Sequence, residues 1–256
     1  RNDEVGRVVR GVNAMLDRLQ RTMTDLRRFT ADAAHALRTP LTVLRSGLEV
    51  ALAQEREALE YRAAISDALA TTGHINRVAD RLLTLTRLEA SAVPRVVERI
   101  DVAEILRELA DAFGARALQQ GFELRPEVEP QLWLRGDQSD LYRLFYDLID
   151  NAVRYGVVTS QGAAEVSISA RREGEQIRIV IADRGPGIQA SDLPQVFERF
   201  YRGSDRSSAD GGSGLGLSIA RQIVRAHGGS IDVRNRSEGG CLVEVVLPAD
   251  AESADD

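Results

Sequence analysis

Phe29–Leu48 reads FTADAAHALRTPLTVLRSGL. Its apolar positions extend a heptad that begins upstream. Val9, Leu16, Met23, Thr30 and Leu37 fall on one core position, and Val12, Leu19, Leu26, Ala33 and Pro40 on the other. Spacings that alternate four and three predict a helix packed along a seam against other helices. In this register His35 lies two residues past a core position and points to solvent. Thr39 follows one turn later on the same side. Pro40 has no N–H, so the carbonyl of Ala36 loses its helical partner and a bend is predicted beside His35. Taken alone, such a histidine is a surface residue near a kink.

Outward from this stretch the helical pattern holds. Residues 1–25 form an amphipathic helix in the same register, with Asp3, Glu4 and Gly6 suited to its start. The helix is predicted to run to about Ala53. A polar stretch, Gln54–Glu57, marks a turn, and a second helix covers 58–89. Its predicted seam is Tyr61, Ile65, Ala68, Thr72, Ile75, Ala79 and Leu82. Two antiparallel helices cannot bury both stripes alone. Pairing with a second copy gives a four-helix bundle, so a homodimer is expected.

The whole chain has 256 residues, enough for about two domains with a real core. A net charge of −6 and a pI near 5.3 argue against nucleic acid as a partner. Every basic residue other than histidine is arginine, from which no functional conclusion follows. The single cysteine, Cys241, excludes an internal disulfide and a cysteine metal cluster, and its apolar strand pattern predicts a buried structural thiol. No run approaches the ~20 apolar residues that span a bilayer. The chain begins without Met inside a helical pattern, so a soluble fragment of a longer protein is expected.

Residues 91–98 read as a linker, and the remainder as mixed α/β. The pattern predicts a helix at 101–118, strands at 122–128 and 132–135, and a helix from Asp137 to about Tyr155. Asp137 is the predicted N-cap, with Asp140 as a capping-box partner. A hairpin follows at 166–171 and 177–182, then a helix at 215–227 and strands at 230–235 and 242–247. The tail, 249–256, is short and acidic and is expected to be disordered.

Four strings in this second part bear on chemistry. Asp147, Asn151 and Arg154 in DLIDNAVRY share one helix face, where an oxygen ligand beside a cation suits magnesium-bound phosphates; by itself this is a solvated polar face. Asp183-Arg-Gly185-Pro-Gly187 follows an apolar strand. Glycines there let backbone approach a flat ligand, though a tight turn explains the string equally. Phe197-Glu-Arg-Phe200-Tyr-Arg202 reads as an aromatic cluster pinning a loop. Gly212-Ser-Gly214-Leu215-Gly216-Leu opens a helix, and such turns offer N–H groups to phosphate.

The string F-x-A-D-A-A-H-x-L-R-T-P-L closely resembles the phosphoacceptor box of bacterial sensor histidine kinases, with His35 at the phosphorylated position. The four later strings, in order and spacing, resemble the N box, first glycine box, F box and second glycine box of that family's catalytic domain. That domain has the Bergerat ATP fold, shared with gyrase, a heat-shock chaperone and a mismatch-repair protein. D-E-V-G-R followed by N-x-M-L-D-R-L resembles the second helix of a HAMP linker. The resemblance implies a HAMP end at 1–25, a dimerisation and phosphotransfer domain at 26–90, and a catalytic α/β sandwich at 99–248. It implies ATP and Mg²⁺ as cofactors, with Asn151 on the metal and Asp147 beside it. Arg154 and Tyr155 contact nucleotide, and Asp183 accepts from the adenine amine. Gly185 and Gly187 shape the pocket. Residues 188–213 form a mobile lid, Arg199 and Arg202 lie near the γ-phosphate, and Gly214, Leu215 and Gly216 meet the phosphates. It further implies a response regulator's receiver domain as partner, and a place on the cytoplasmic side of a bacterial inner membrane, held there only through segments upstream of this chain.

The sequence departs from that pattern twice. The family has Glu or Asp directly after the phosphoacceptor, whereas this chain has Ala36, which cannot take a proton. General-base help is worth about 100-fold or more, so slow autophosphorylation or another base is expected. Asp147 replaces the usual Asn. Thr39 matches the position that orients water in dephosphorylation, which leaves phosphatase activity open. Two other readings stand beside the kinase: an ATP-binding scaffold that barely phosphorylates itself, and an ATPase of the same fold with another task. The box at His35 argues against the last.

Overall fold

The computed structural model describes residues 2–89, 97–156, 165–201, 203 and 214–250. The chain divides into two compact units, 1–82 and 83–256. Most of the expected 91–98 linker, Arg202, most of the Gly/Ser-rich part of the expected lid and the tail beyond Asp250 fall outside the described residues.

The first unit is helical. α1 (Asn2–Leu52) passes through Pro40 without a break, and α2 (Ala58–Glu89) follows a short turn. Threonine hydroxyls flank the carbonyl that Pro40 leaves without its helical partner. Thr39 Oγ1 donates to the His35 carbonyl at 3.2 Å, and Thr42 Oγ1 to the Arg38 carbonyl at 2.9 Å. At the start of α2, Glu60 Oε2 accepts the Glu57 N–H at 3.1 Å, the carboxylate half of a capping box.

The α2 seam differs from the prediction in one of its two rows. Tyr61, Ala68, Ile75 and Leu82 are half-buried as expected. The second row is Ala64, Thr71 and Val78, each one residue before a predicted position, with Val78 only 1% exposed. Of the predicted seam residues in this row Ile65 and Thr72 are exposed, while Ala79 is half-buried as expected. The cause is a broad apolar stripe with two edges, as on a helix that meets more than one neighbour. One edge is covered in the single chain, and Ile65, Leu69 and Leu83 lie on the other. On α1, Pro40 and Ala51 are buried, while Val43 and Val50 are largely exposed.

The second unit begins within α2, whose Thr84, Leu85 and Leu88 are buried. Its elements in order are β1 (Glu98–Asp101), α3 (Val102–Gln120), β2 (Glu123–Val128), β3 (Trp133–Gly136), α4 (Gln138–Gly156), β4 (Glu165–Glu173), β5 (Gln176–Asp183), α5 (Gly216–Ala226), β6 (Ser230–Asn235) and β7 (Cys241–Pro248). A 3-10 turn, Leu193–Gln195, lies between β5 and α5. The main sheet has five strands in the order β2-β4-β5-β7-β6. β2 runs parallel to β4, and the other pairs are antiparallel. Inward residues alternate along β4 and β5, with Val166, Ile168, Ile177 and Ile179 fully buried. Leu144, Phe145, Leu148 and Ile149 of α4 and Ile219 and Ile223 of α5 complete the core. β1, a four-residue strand absent from the prediction, pairs with β3 apart from the main sheet.

Caps set where the helices begin. Asp101 Oδ1 accepts the Ala103 N–H at 2.9 Å and also the Leu132 N–H at 2.9 Å, tying α3 to the approach to β3. Asp137 caps α4 as predicted, accepting the Asp140 N–H at 3.1 Å. The box is not closed by Asp140, whose buried carboxylate instead pairs with Arg87 near the end of α2. The Asp137 N–H donates to His227 Nε2 at 3.1 Å, so Nδ1 carries the ring proton and donates to the Ile223 carbonyl at 2.8 Å. Cys241 is half-buried rather than buried. Backbone bonds continue two residues beyond Pro248, from Ala249 N–H to the Glu175 carbonyl and from Asp250 N–H to the Trp133 carbonyl.

Candidate functional site

The C-terminal half of α4 and the N-terminus of α5 build the first side of the site. Positions 147, 151 and 154 recur at helical spacing on one face of α4. Asp147 is buried, and Asn151, Arg154 and Tyr155 are half-buried. Arg154 Nη2 donates to Asp150 Oδ2 at 3.4 Å, which fixes the guanidinium along the helix. Asn151 faces the start of α5 closely: a Cβ at Gly216 would stand 3.4 Å from its Nδ2. Glycine at 216 therefore keeps the first turn of α5 open beside the amide, where its N–H groups and dipole favour an anion.

The second side is the end of β5. Asp183 is buried there, and its Oδ1 accepts the Gly185 N–H at 2.8 Å and the Cys241 N–H at 3.2 Å. Its carbonyl accepts Arg236 Nη1 at 3.1 Å. Gly240, at φ +92°, passes so close that a Cβ would overlap the Asp183 carbonyl. A Cβ at Gly156 would lie 2.7 Å from Asp183 Cβ, and one at Gly185 would overlap the Tyr155 carbonyl. Asp183 is thus an acceptor-only carboxylate oriented by backbone donors and enclosed by glycines, suited to an amine or amide donor on a flat ligand. Gly187 lies against Asn235, whose side chain holds the loop from both sides. Its Oδ1 accepts the Ile188 N–H at 2.8 Å, and its Nδ2 donates to the Ile188 carbonyl at 2.6 Å. Nothing in the string around Asn235 announced this role, because the partner is distant in sequence.

The aromatic string and the last glycine string meet directly. Phe200, at φ +61°, donates its N–H to the Gly214 carbonyl at 2.9 Å. Gly214 is itself at φ +67°, and a Cβ there would come within 2.6 Å of the Phe200 backbone. Leu215 is fully buried and anchors the entry to α5. From α5, Arg221 lies over the Phe197 ring at 5.2 Å and donates to the Phe197 carbonyl at 3.2 Å. Partial burial lowers the pKa of its guanidinium, and neighbouring Arg225 adds to that shift. Tyr201 donates its hydroxyl to Asp192 Oδ1 at 2.9 Å, and that bond raises the phenol above its ordinary range.

The structure therefore brings Asp147, Asn151, Arg154 and Tyr155 together on α4, with Gly216 beside Asn151, Gly185 beside Tyr155 and Asp183 beside Gly185 and Gly156. His35 and Thr39 stand exposed in the helical unit. Among the described residues no three His, Cys, Asp or Glu side chains converge as a metal site of their own.

Comparison with known proteins gives this arrangement its class. Residues 25–91 match the His Kinase A (phospho-acceptor) domain, and residues 136–251 match the histidine kinase-, DNA gyrase B- and HSP90-like ATPase. Sensor protein CutS of Streptomyces coelicolor is 36% identical over 248 residues, covering 96% of this chain and 58% of that protein. The signal transduction histidine-protein kinase BaeS of Escherichia coli is 33% identical over 247 residues, covering 96% of this chain and 52% of its own length. The histidine kinase AdeS of Acinetobacter baumannii shares the fold at a TM-score of 0.65 and 22% identity, over 85% of this chain and 98% of that one. A phosphoacceptor helical hairpin followed by this ATPase fold is the architecture of two-component sensor histidine kinases. The chain belongs to that family, and it spans between half and three-fifths of the two curated relatives' length. No described helix is long and apolar enough to cross a membrane.

Proposed function

We propose that the chain binds ATP in the α4–β5–α5 site, autophosphorylates His35, and passes the phosphoryl group to an aspartate on a response regulator's receiver domain. The observation that carries this reading is the Asp183 carboxylate, buried and aimed by the Gly185 and Cys241 N–H groups. That geometry supports recognition of the adenine amine, with Gly185 and Gly187 shaping the walls. Tyr155 and Arg154 contact the nucleotide, and Gly214, Leu215 and Gly216 present the open turn of α5 to the phosphates. Arg199 supplies positive charge for the γ-phosphate from the segment that follows β5.

The donor set fits Mg²⁺. This ion takes one or two protein oxygens and completes its shell with phosphates and water, and α4 offers the Asn151 amide with the Asp147 carboxylate one turn away. Bound with ATP, the ion neutralises phosphate charge.

The exposed apolar edge of the hairpin supports a homodimer through a four-helix bundle. Thr39, one turn from His35, supports a regulator phosphatase activity beside the kinase. The pattern at 1–25 supports the end of a HAMP linker, and with it a cytoplasmic position below an inner-membrane segment. A second reading, an ATP-binding scaffold that barely phosphorylates itself, draws its support from Ala36.

The test is incubation with γ-labelled ATP and Mg²⁺, comparing the native chain with His35→Gln. Acid-labile, alkali-stable label on the native chain alone is expected. No label on either, with ATP binding intact, moves the assignment to the scaffold.

A further inference from the structure

Ala36 leaves the phosphoacceptor without its usual neighbouring carboxylate, and α1 supplies another. His35 is exposed on an unbroken helix. Successive residues on a helix point about 100° apart, so position 36 does not share His35's face. The positions that do, one turn away, are Ala31, Asp32, Arg38 and Thr39. Thr39 turns its hydroxyl back to the His35 carbonyl, and Arg38 is a cation. Asp32 is the one acid of the four. It is half-buried, and among the described residues no hydrogen bond or ion pair engages its carboxylate. Helical side chains lean toward the N-terminus, so the imidazole of residue 35 reaches over the turn that carries residue 32.

We infer that Asp32 is the positioning base of His35, accepting the Nδ1 proton so that Nε2 is the attacking atom. The inference rests on the kinase reading of the same histidine. In the step, Nε2 forms a bond to the γ-phosphorus. The bond from that phosphorus to the β–γ bridging oxygen breaks, and ADP leaves with the electron pair. The ring acquires positive charge, which is relieved as the Nδ1 proton moves to the Asp32 carboxylate. An acid one turn before the histidine lies on the ring's own face of the helix, so Asp32 can stand in for the carboxylate that Ala36 lacks.

The experiment measures the rate of label incorporation at saturating ATP for the native chain, D32N, D32E, A36E and the D32N/A36E pair, with ATP affinity and melting temperature for each. D32N is expected to slow phosphorylation about 100-fold, with ATP affinity and melting unchanged. D32E retains most of the rate, and A36E in the D32N background restores it. Nitrogen NMR shifts of His35 give a reading independent of turnover: the Nδ1–H tautomer in the native chain and a mixture in D32N. A D32N rate equal to native, or a loss that neither glutamate recovers, overturns the role of Asp32. So does an unchanged tautomer. Native chain and His35→Gln alike in carrying no label overturns the kinase reading instead, and the tautomer measurement then still decides the pairing.

Discussion

The helical unit and the ATPase unit differ in where their apolar side chains go. In the ATPase unit Phe145, Leu144 and Ile168 are at most 1% exposed, and three helices and a sheet close around them. In the hairpin, Val43 is 60%, Ile65 56% and Leu69 68% exposed. At about 25 cal/mol per Å² of buried apolar surface, the ATPase unit has its stabilisation inside one chain. The helical unit leaves much of its own unrealised until another surface covers that edge. A candidate site carried by a domain that completes its own core does not depend on what covers the hairpin's exposed edge.

The contrast is tested most severely in the ATPase core. Leu144→Ala is expected to lower the stability of that domain by about 2–5 kcal/mol, read from the denaturant midpoint. Leu69→Ala measured in parallel changes the same transition by no more than about 0.5 kcal/mol. If both substitutions act alike, the two units are not distinct in the way described. Ile65→Asp comes next: it weakens self-association at least about tenfold, or about 1.4 kcal/mol, in sedimentation equilibrium and leaves ATP affinity unchanged. An unaltered dimer constant moves the interface off that edge. Asp137→Ala removes the cap of α4 and costs about 1 kcal/mol, lowering the ATPase melting temperature by about 2–4 °C with no effect on association.

The smallest effect is a pH dependence. The Glu173 carboxyl lies below its ordinary range because Arg178 and Arg171 donate to it. A carboxyl depressed in the folded state binds its proton more readily when unfolded, so its contribution is present above the unfolded value and is lost as pH falls through the folded one. Glu173→Gln is therefore slightly less stable than the native chain at neutral pH. The two curves converge below about pH 4.3 in thermal melts. Curves that stay parallel into acid remove the pair from the account.

The readings that held are those with local causes. The turn at 54–57 and the hairpin between β4 and β5 are signalled by polar and glycine residues in place, and Asp137 caps the helix it directly precedes. The strings of the candidate site were legible because glycine recurs where the chain passes close to itself, as at Gly185 beside Tyr155 and Gly216 beside Asn151. What escaped has distant partners. β1 is four residues of ERID, without a strand's alternation, and it exists because β3 pairs with it from Trp133–Gly136. Asn235 looked like the end of a strand until Ile188 came to it across the fold. Asp140 had a local partner written for it in Asp137, yet a longer-range cation took its carboxylate. In α2 both edges of one apolar stripe were written in the same heptad, and only a structure separates the edge a chain covers itself.

The outer strand β2 has a further consequence. It carries Glu123, Arg125, Pro126 and Glu127 on the rim of the sheet, and Pro126 offers no N–H. Charges and proline on a rim strand discourage another chain from extending the sheet. In the proposed homodimer two such rims would stand at an effective concentration on the order of millimolar, where an unguarded strand would zip to its twin. Pro126→Val, which restores a donor and β propensity, is the change most apt to make the chain aggregate.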